Sequence, residues 1–202
     1  MTDSQTVYRG RDFDIFLASR FLSTTAMMVQ SVAVGWQVYA ISHAPLALGL
    51  VGLCEFVPMF LLTLPAGDIS DRFDQRFVLA CSLALEAICG VLLILFTLSH
   101  PTHALPFYAV MAVFGFARAF SGPAAQSLLP FVVPPERLPK AIGWSSSVFQ
   151  IAVIAGPAIG GFLYGLGPVS AYAVCAACLW VAGVAVSILG RRRRKEARSS
   201  AG

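Results

Sequence analysis

Six long apolar stretches constrain the fold of this 202-residue chain more than any other feature. They cover residues 15–40, 46–66, 77–98, 104–129, 141–166 and 169–189. Each reaches the roughly 20 apolar residues that a helix needs to cross a bilayer. Hydrophobic residues make up 57% of the chain and charged residues only 12%, which is too apolar a balance for one soluble core. The sequence therefore predicts an all-α membrane protein with six transmembrane helices.

The basic residues predict how this bundle is oriented. They lie before the first stretch and after the second, fourth and sixth, at Arg9, Arg11, Arg72, Arg76, Arg137, Lys140 and between Arg191 and Arg198. The other three loops contain neither lysine nor arginine. Since loops rich in lysine and arginine stay on the cytoplasmic side, both termini are expected in the cytoplasm. We divide the chain into an N-terminal cytoplasmic segment (1–14), the bundle (15–189) and a basic tail (190–202), and we expect no nucleic-acid partner.

Polar residues inside the apolar stretches are the candidate functional groups. Ionisable groups at membrane depth are costly and mark pathways or ion pairs. Such residues, with three uncharged amides added, are Arg20, Glu55, Glu86, Arg118, Gln30, Gln37 and Gln150. One interpretation is a polar cavity with a carboxylate that binds and releases a proton, since burial favours the protonated form. The other interpretation is a set of structural ion pairs and buried hydrogen bonds. Both interpretations remain open for each residue.

The fifth stretch carries a second pattern, AGPAIGGFLYG. Gly156 and Gly160 are four residues apart, and small residues at this spacing let helices approach closely. Gly161 and Gly165 repeat the spacing. Pro157 lacks a backbone donor and bends a helix. The pattern predicts a tightly packed helix that tolerates a bend.

The segment between the second and third stretches reads GDISDRFDQR and resembles the signature loop of the major facilitator superfamily, G-x-x-x-D-R-x-G-x-R. The matching residues are Gly67, Asp71, Arg72 and Arg76, whereas Asp74 stands where many members have glycine. That departure, with SHAPLALGLVGLCEFVP and FARAFSGPAAQSLLP, resembles the branch containing the enterobactin exporter and macrolide-efflux proteins.

The resemblance implies a fold and roles for particular residues. The chain would be the N-terminal half bundle, built from two inverted three-helix repeats. Asp71, Arg72 and Arg76 would form a cytoplasmic charge network that steadies the outward-open state. Gly156, Pro157, Gly160 and Gly161 would form the antiporter motif of the fifth helix, which AGPAIGGFLYG resembles. Arg118, followed by Gly122, resembles a motif associated with proton coupling.

The implied activity is secondary active efflux of a small amphipathic molecule, such as a siderophore or a drug, driven by protons across the bacterial inner membrane. A full member has twelve helices, so the chain is expected to be a fragment, a split half or a half that pairs with itself. Its expected partners are the lipid bilayer, the substrate, protons, and either a separate C-terminal half or a second copy. The alternative is an inactive or regulatory truncated fragment without transport of its own.

An enzyme is not expected from this sequence. His43, His100 and His103 lie in or near the outer loops without a neighbouring carboxylate. No nucleophile and base arrangement, phosphate-binding loop or nucleotide fingerprint is present. We therefore predict no catalytic residue, no metal site and no cofactor.

Overall fold

Six long helices make up the fold. The computed structural model describes residues 2–99 and 103–199, and within them the side chains of 11–68, 73–99 and 103–189. The helices are α1 (Thr2–Ser42), α2 (Pro45–Arg72), α3 (Gln75–Leu98), α4 (Leu105–Val132), α5 (Leu138–Leu166) and α6 (Pro168–Ser199), with one 3-10 turn at Pro135–Arg137. All six have a segment long and apolar enough to cross a membrane, and no strand occurs in the described ranges. The predicted fold class is confirmed.

The helices extend beyond the apolar stretches that predicted them. α1 already begins at Thr2, within the predicted N-terminal segment. The predicted loop at residues 67–76 is wrong for most of its length, because α2 continues to Arg72 and only Phe73 and Asp74 separate it from α3. A helix satisfies its own backbone hydrogen bonds in water as well as in lipid, so it need not end where the hydrophobic residues end. Asp74 then caps α3, accepting a 3.0 Å hydrogen bond from the Arg76 backbone N–H.

Helix contacts define which faces are buried. α2 packs on α4, α3 packs on both α4 and α6, and α1 packs on both α5 and α6. The apolar core between them includes Phe16, Phe107, Phe114 and Tyr172, all fully buried. In α2 and α5 only 17% of the most apolar window is buried, against 39–44% in the other four helices. These two helices therefore present the largest unpacked faces of the bundle.

Candidate functional site

A cavity of about 350 Å³ lies within the bundle. Successive helices run antiparallel, so α1, α3 and α5 begin at one end, which we call the N-terminal end. The cavity lies in that half, since its α1 residues fall between Phe16 and Met27 and its α2 residues are Met59 and Thr63. Its polar lining comes from Ser19, Arg20, Ser23, Thr24, Thr63, Arg118, Ser121 and Gln126. The cavity thus combines two arginines with several hydroxyl groups.

Arg118 on α4 and Glu55 on α2 form an ion pair at the wall of this cavity. The Arg118 guanidinium donates from Nη1 to Glu55 Oε1, and Ser31 Oγ on α1 donates to Glu55 Oε2 at 3.2 Å. The side chain of Glu55 is 11% exposed and that of Arg118 is 24% exposed. Both carboxylate oxygens are therefore engaged, and the arginine faces the cavity while the acid lies behind it.

Gly115 brings the two helices of this pair together. A Cβ atom at position 115 would overlap the backbone carbonyl of Glu55. Only glycine allows the α4 backbone to approach α2 this closely, since it has no side chain. Gly115 and Arg118 are three residues apart and therefore share a face of α4. The close backbone contact at Gly115 and the ion pair from Arg118 consequently act on the same residue, Glu55.

Glu86 on α3 is the most buried ionisable group of the site. Its side chain has no exposed surface, and its Oε1 accepts a 2.8 Å hydrogen bond from Ser121 Oγ on α4. Its Oε2 is also buried and has no hydrogen-bond partner in the described part of the chain. Ser121 lies three residues after Arg118, so α4 contacts both buried acids from adjacent turns.

Arg20 on α1 lines the same cavity and has no acidic partner among the residues that the structure describes. Its guanidinium carbon lies 5.4 Å from the centroid of the Phe149 ring on α5. Its Nε is buried and lacks a hydrogen-bond partner among the described residues. Gln30, further along α1, is completely buried, and both polar atoms of its amide lack partners within the same ranges.

The other predicted site residues lie away from this cluster. Gln150 is on an exposed face of α5. Gly156 and Gly160 pack against α1, because a Cβ at either position would crowd Met28 or Val29. Pro157 and Gly161, in contrast, face outward.

The predicted cytoplasmic motif is described only in part. Gly67 has open space around it, and Asp74 caps α3. The side chain of Arg76 is half-buried. The side chains of Asp71 and Arg72 lie outside the described residues. The predicted charge network among these residues therefore stays a prediction.

Sequence reasoning missed Gly115, Ser31, Ser121 and Phe149 as parts of the site. Serine inside a helix usually bonds to its own backbone, as Ser19 does with Ile15, so a lone serine gives no clear signal. Gly115 is followed four residues later by alanine rather than glycine, so it lacks the two-glycine pattern of the fifth stretch. A search for small and hydroxyl residues one helical turn from the four charged ones would have identified Gly115 and Ser121, each three residues from Arg118.

Comparisons with known proteins agree on one family. The family model described as "Transmembrane secretion effector" matches residues 4–201. A staphyloferrin A transporter of Staphylococcus aureus is 30% identical over 152 residues, covering 73% of this chain and 38% of that protein. The macrolide efflux protein A of Streptococcus pyogenes is 26% identical, covering 73% of this chain and 36% of its own length.

The enterobactin exporter EntS of Shigella dysenteriae is also 26% identical, over 77% of this chain and 37% of that exporter. The match thus spans little more than a third of each of these relatives. No solved structure matches the chain significantly.

Proposed function

Because the chain belongs to the transmembrane secretion effectors of the major facilitator superfamily, we propose that it forms the N-terminal six-helix half of a proton-coupled exporter. The proposed substrate is a small amphipathic molecule. The names of the relatives, which include siderophore and macrolide transporters, support this class. The basic residues support a cell-membrane location with both termini in the cytoplasm.

The observation that carries the proposal is the ion pair between Glu55 and Arg118 at the cavity wall. When Glu55 is ionised, it neutralises the charge of Arg118. When Glu55 binds a proton, the arginine loses its counter-charge and faces the cavity as an unpaired cation. A neutral apolar molecule is less stable beside an unpaired buried charge, because that charge requires polar surroundings. Proton binding at Glu55 and binding of an uncharged apolar group at this wall therefore oppose each other, as exchange of one for the other requires.

Glu86 is the second candidate for the proton. It is more deeply buried than Glu55, and one of its oxygens has no partner in the described ranges. However, it is not among the described residues that line the cavity, and its hydrogen bond there is to the lining residue Ser121. Glu55 contacts a cavity-lining arginine directly, so we assign the proton to Glu55 and a supporting role to Glu86.

Transport also needs a second body, because the superfamily alternates access by rocking two halves about a central site. The large unpacked faces of α2 and α5 support a second half at that position. Pro157 and Gly161 lie on the outward side of α5, where a close-packed partner helix would meet them. The partner is a separate C-terminal half or a second copy of this chain, and the Asp71, Arg72 and Arg76 motif would contact it at the cytoplasmic surface.

An efflux assay tests the proposal. The chain is expressed in bacterial cells with and without a candidate C-terminal half, and export of several dyes, siderophores and macrolides is followed as a function of pH. We expect export only with the second half, and we expect its pH dependence to disappear in the Glu55→Gln variant.

The matched control is Glu136→Gln, which alters an exposed acid in the turn before α5. It should leave export and its pH dependence unchanged. Absence of export of any compound with every partner would favour an inactive or regulatory fragment. Unchanged pH dependence in Glu55→Gln would move the proton to Glu86 or to the second half.

A further inference from the structure

We infer that Arg20 is an oxyanion-recognition residue, and that the cavity selects amphipathic molecules bearing a carboxylate or a related oxyanion. This inference rests on the proposed function, because it specifies the chemistry of the molecule that the cavity takes. It arises from a contrast between the two arginines of the lining. Arg118 has Glu55 as its counter-charge, whereas Arg20 contacts no carboxylate among the described residues.

An unpaired arginine at this position requires an explanation. Its guanidinium stays protonated in proteins and carries five N–H donors but no acceptor. Charged side chains within membrane helices normally pair with one another or with backbone carbonyls. The described structure gives Arg20 only the face of the Phe149 ring, 5.4 Å away, and leaves its buried Nε without an acceptor.

The Phe149 contact differs in kind from a hydrogen bond to the guanidinium group. An aromatic ring attracts the flat face of the group, leaving the N–H donors along its edge. Two parallel donors on that edge match the two oxygens of a carboxylate or a phosphate. The contact with the Phe149 ring therefore engages none of the N–H donors of Arg20 and leaves them to bind an oxyanion.

Most hydroxyl donors of the cavity are already engaged. Ser19 donates to Ile15 O at 2.8 Å, and Ser23 donates to Arg20 O at 3.2 Å. Thr63 donates to Met59 O at 2.6 Å. Ser121 is engaged with Glu86. The N–H groups of Arg20 are thus charged donors in the cavity lining that no carboxylate of the described residues occupies.

The rest of the lining fits an apolar body next to the anionic group. Phe16, Met27, Met59, Leu79, Leu83 and Phe149 contribute apolar surface. Methionine side chains are flexible and adapt to ligands of different shape. A volume of about 350 Å³ suits a small molecule. The ligand class is therefore an oxyanion attached to a compact apolar group, supplied either by a soluble solute or by an anionic lipid.

The test uses the whole chain in nanodiscs of phosphatidylcholine and two fluorescent probes that differ in one group. N-dansyl-leucine carries a carboxylate, and N-dansyl-leucinamide carries a neutral amide in its place. Fluorescence titration at one fixed pH gives the affinity for each. We expect wild-type protein to bind the carboxylate probe about tenfold more tightly or better, as a charged hydrogen bond predicts.

Three variants locate the effect. Arg20→Gln should abolish the preference for the carboxylate while leaving the affinity for the amide within about twofold, since only the charged contact is removed. Arg20→Lys keeps the charge without the two-donor edge and should retain part of the preference. Arg11→Gln removes an exposed arginine from the same helix and should behave as wild type.

The outcomes separate this inference from the proposed function. Equal binding of both probes by wild type, or a preference that survives Arg20→Gln, would overturn the role of Arg20 and leave the cavity as a binding site. Failure of wild type to bind either probe would overturn the small-molecule site itself.

Replacing part of the phosphatidylcholine by phosphatidylglycerol shows whether a lipid or a solute supplies the oxyanion. Weaker binding of the carboxylate probe in the presence of phosphatidylglycerol would show that a lipid headgroup supplies the oxyanion. Unchanged binding of the probe would assign the oxyanion to a solute.

Discussion

Two clusters of buried polar residues lie in opposite halves of the bundle and differ in how fully they are hydrogen-bonded. In the half away from the cavity, Tyr172 Oη donates to Gln37 Oε1 at 2.7 Å, and Gln37 Nε2 donates to Thr97 Oγ1 at 3.0 Å. Thr97 in turn donates to Leu93 O at 2.6 Å. This neutral cluster joins α1, α3 and α6. The second cluster, which we call the cavity cluster, consists of Arg20, Glu55, Glu86 and Arg118 and is charged. Within it, Arg20 and Glu86 each keep an unpartnered buried atom in the described structure.

This difference distinguishes polar residues that stabilise the fold from polar residues that we propose act in binding. A buried polar group without a hydrogen bond destabilises a fold, so a fully bonded cluster is what stability alone favours. The Gln37 cluster meets that requirement and needs no ligand. The cavity cluster does not, which supports our proposal that its open positions serve a proton or a solute.

The largest expected effect comes from the close contact that supports the charged cluster. Gly115→Ala places a Cβ against the α2 backbone, and we expect it to lower the free energy of unfolding by about 3 kcal/mol or more through overpacking. Unfolding in mixed micelles, titrated with SDS, measures the change.

The control for this variant is Gly122→Ala, on the same helix but with open space at its Cβ position. It should be neutral or stabilising by up to about 1 kcal/mol, since alanine favours the helix. Equal stability of the two variants would mean that α4 does not approach α2 as closely as described.

A smaller effect is expected in the neutral cluster. Gln37→Leu leaves the Tyr172 hydroxyl without its acceptor and removes the donor to Thr97. We expect a loss of about 1–2 kcal/mol in the free energy of unfolding, in line with buried hydrogen bonds in membrane proteins. Affinity for both dansyl probes should remain at the wild-type level. A large loss of probe binding in a folded Gln37→Leu protein would contradict the structural assignment of this cluster.

The fold could be predicted from sequence to a greater extent than the site. Length and hydropathy identified all six spans, because they report on the membrane directly. They placed helix ends less well, as α1 and α2 show, since a helix can continue into water. The contact of Glu55 with Arg118 depends on how α2 and α4 are rotated and how closely they approach. Neither the rotation of these helices nor their distance can be predicted from the local sequence, because the two residues are 63 positions apart.

Gln150 shows the same limit of prediction from sequence, here for the burial of a single residue. It is an amide in an apolar stretch, as Gln30 and Gln37 are, yet it faces outward while they are buried. Composition could not distinguish the three, because the burial of a helical residue depends on which face packs on a neighbour. The faces of α5 were set by Gly156 and Gly160 against α1, a contact between distant parts of the chain.

The pH dependence of neutral-probe binding tests the central claim, that Glu55 couples a proton to the cavity, most directly. The affinity of N-dansyl-leucinamide is measured across the acidic and neutral range with the wild-type chain and with Glu55→Gln in nanodiscs. Wild type should bind more weakly as the pH falls, because protonation of Glu55 leaves Arg118 unpaired at the cavity wall. Glu55→Gln should bind at every pH as wild type does in acid. A Glu55→Gln protein whose affinity still changes with pH as in wild type would contradict the account.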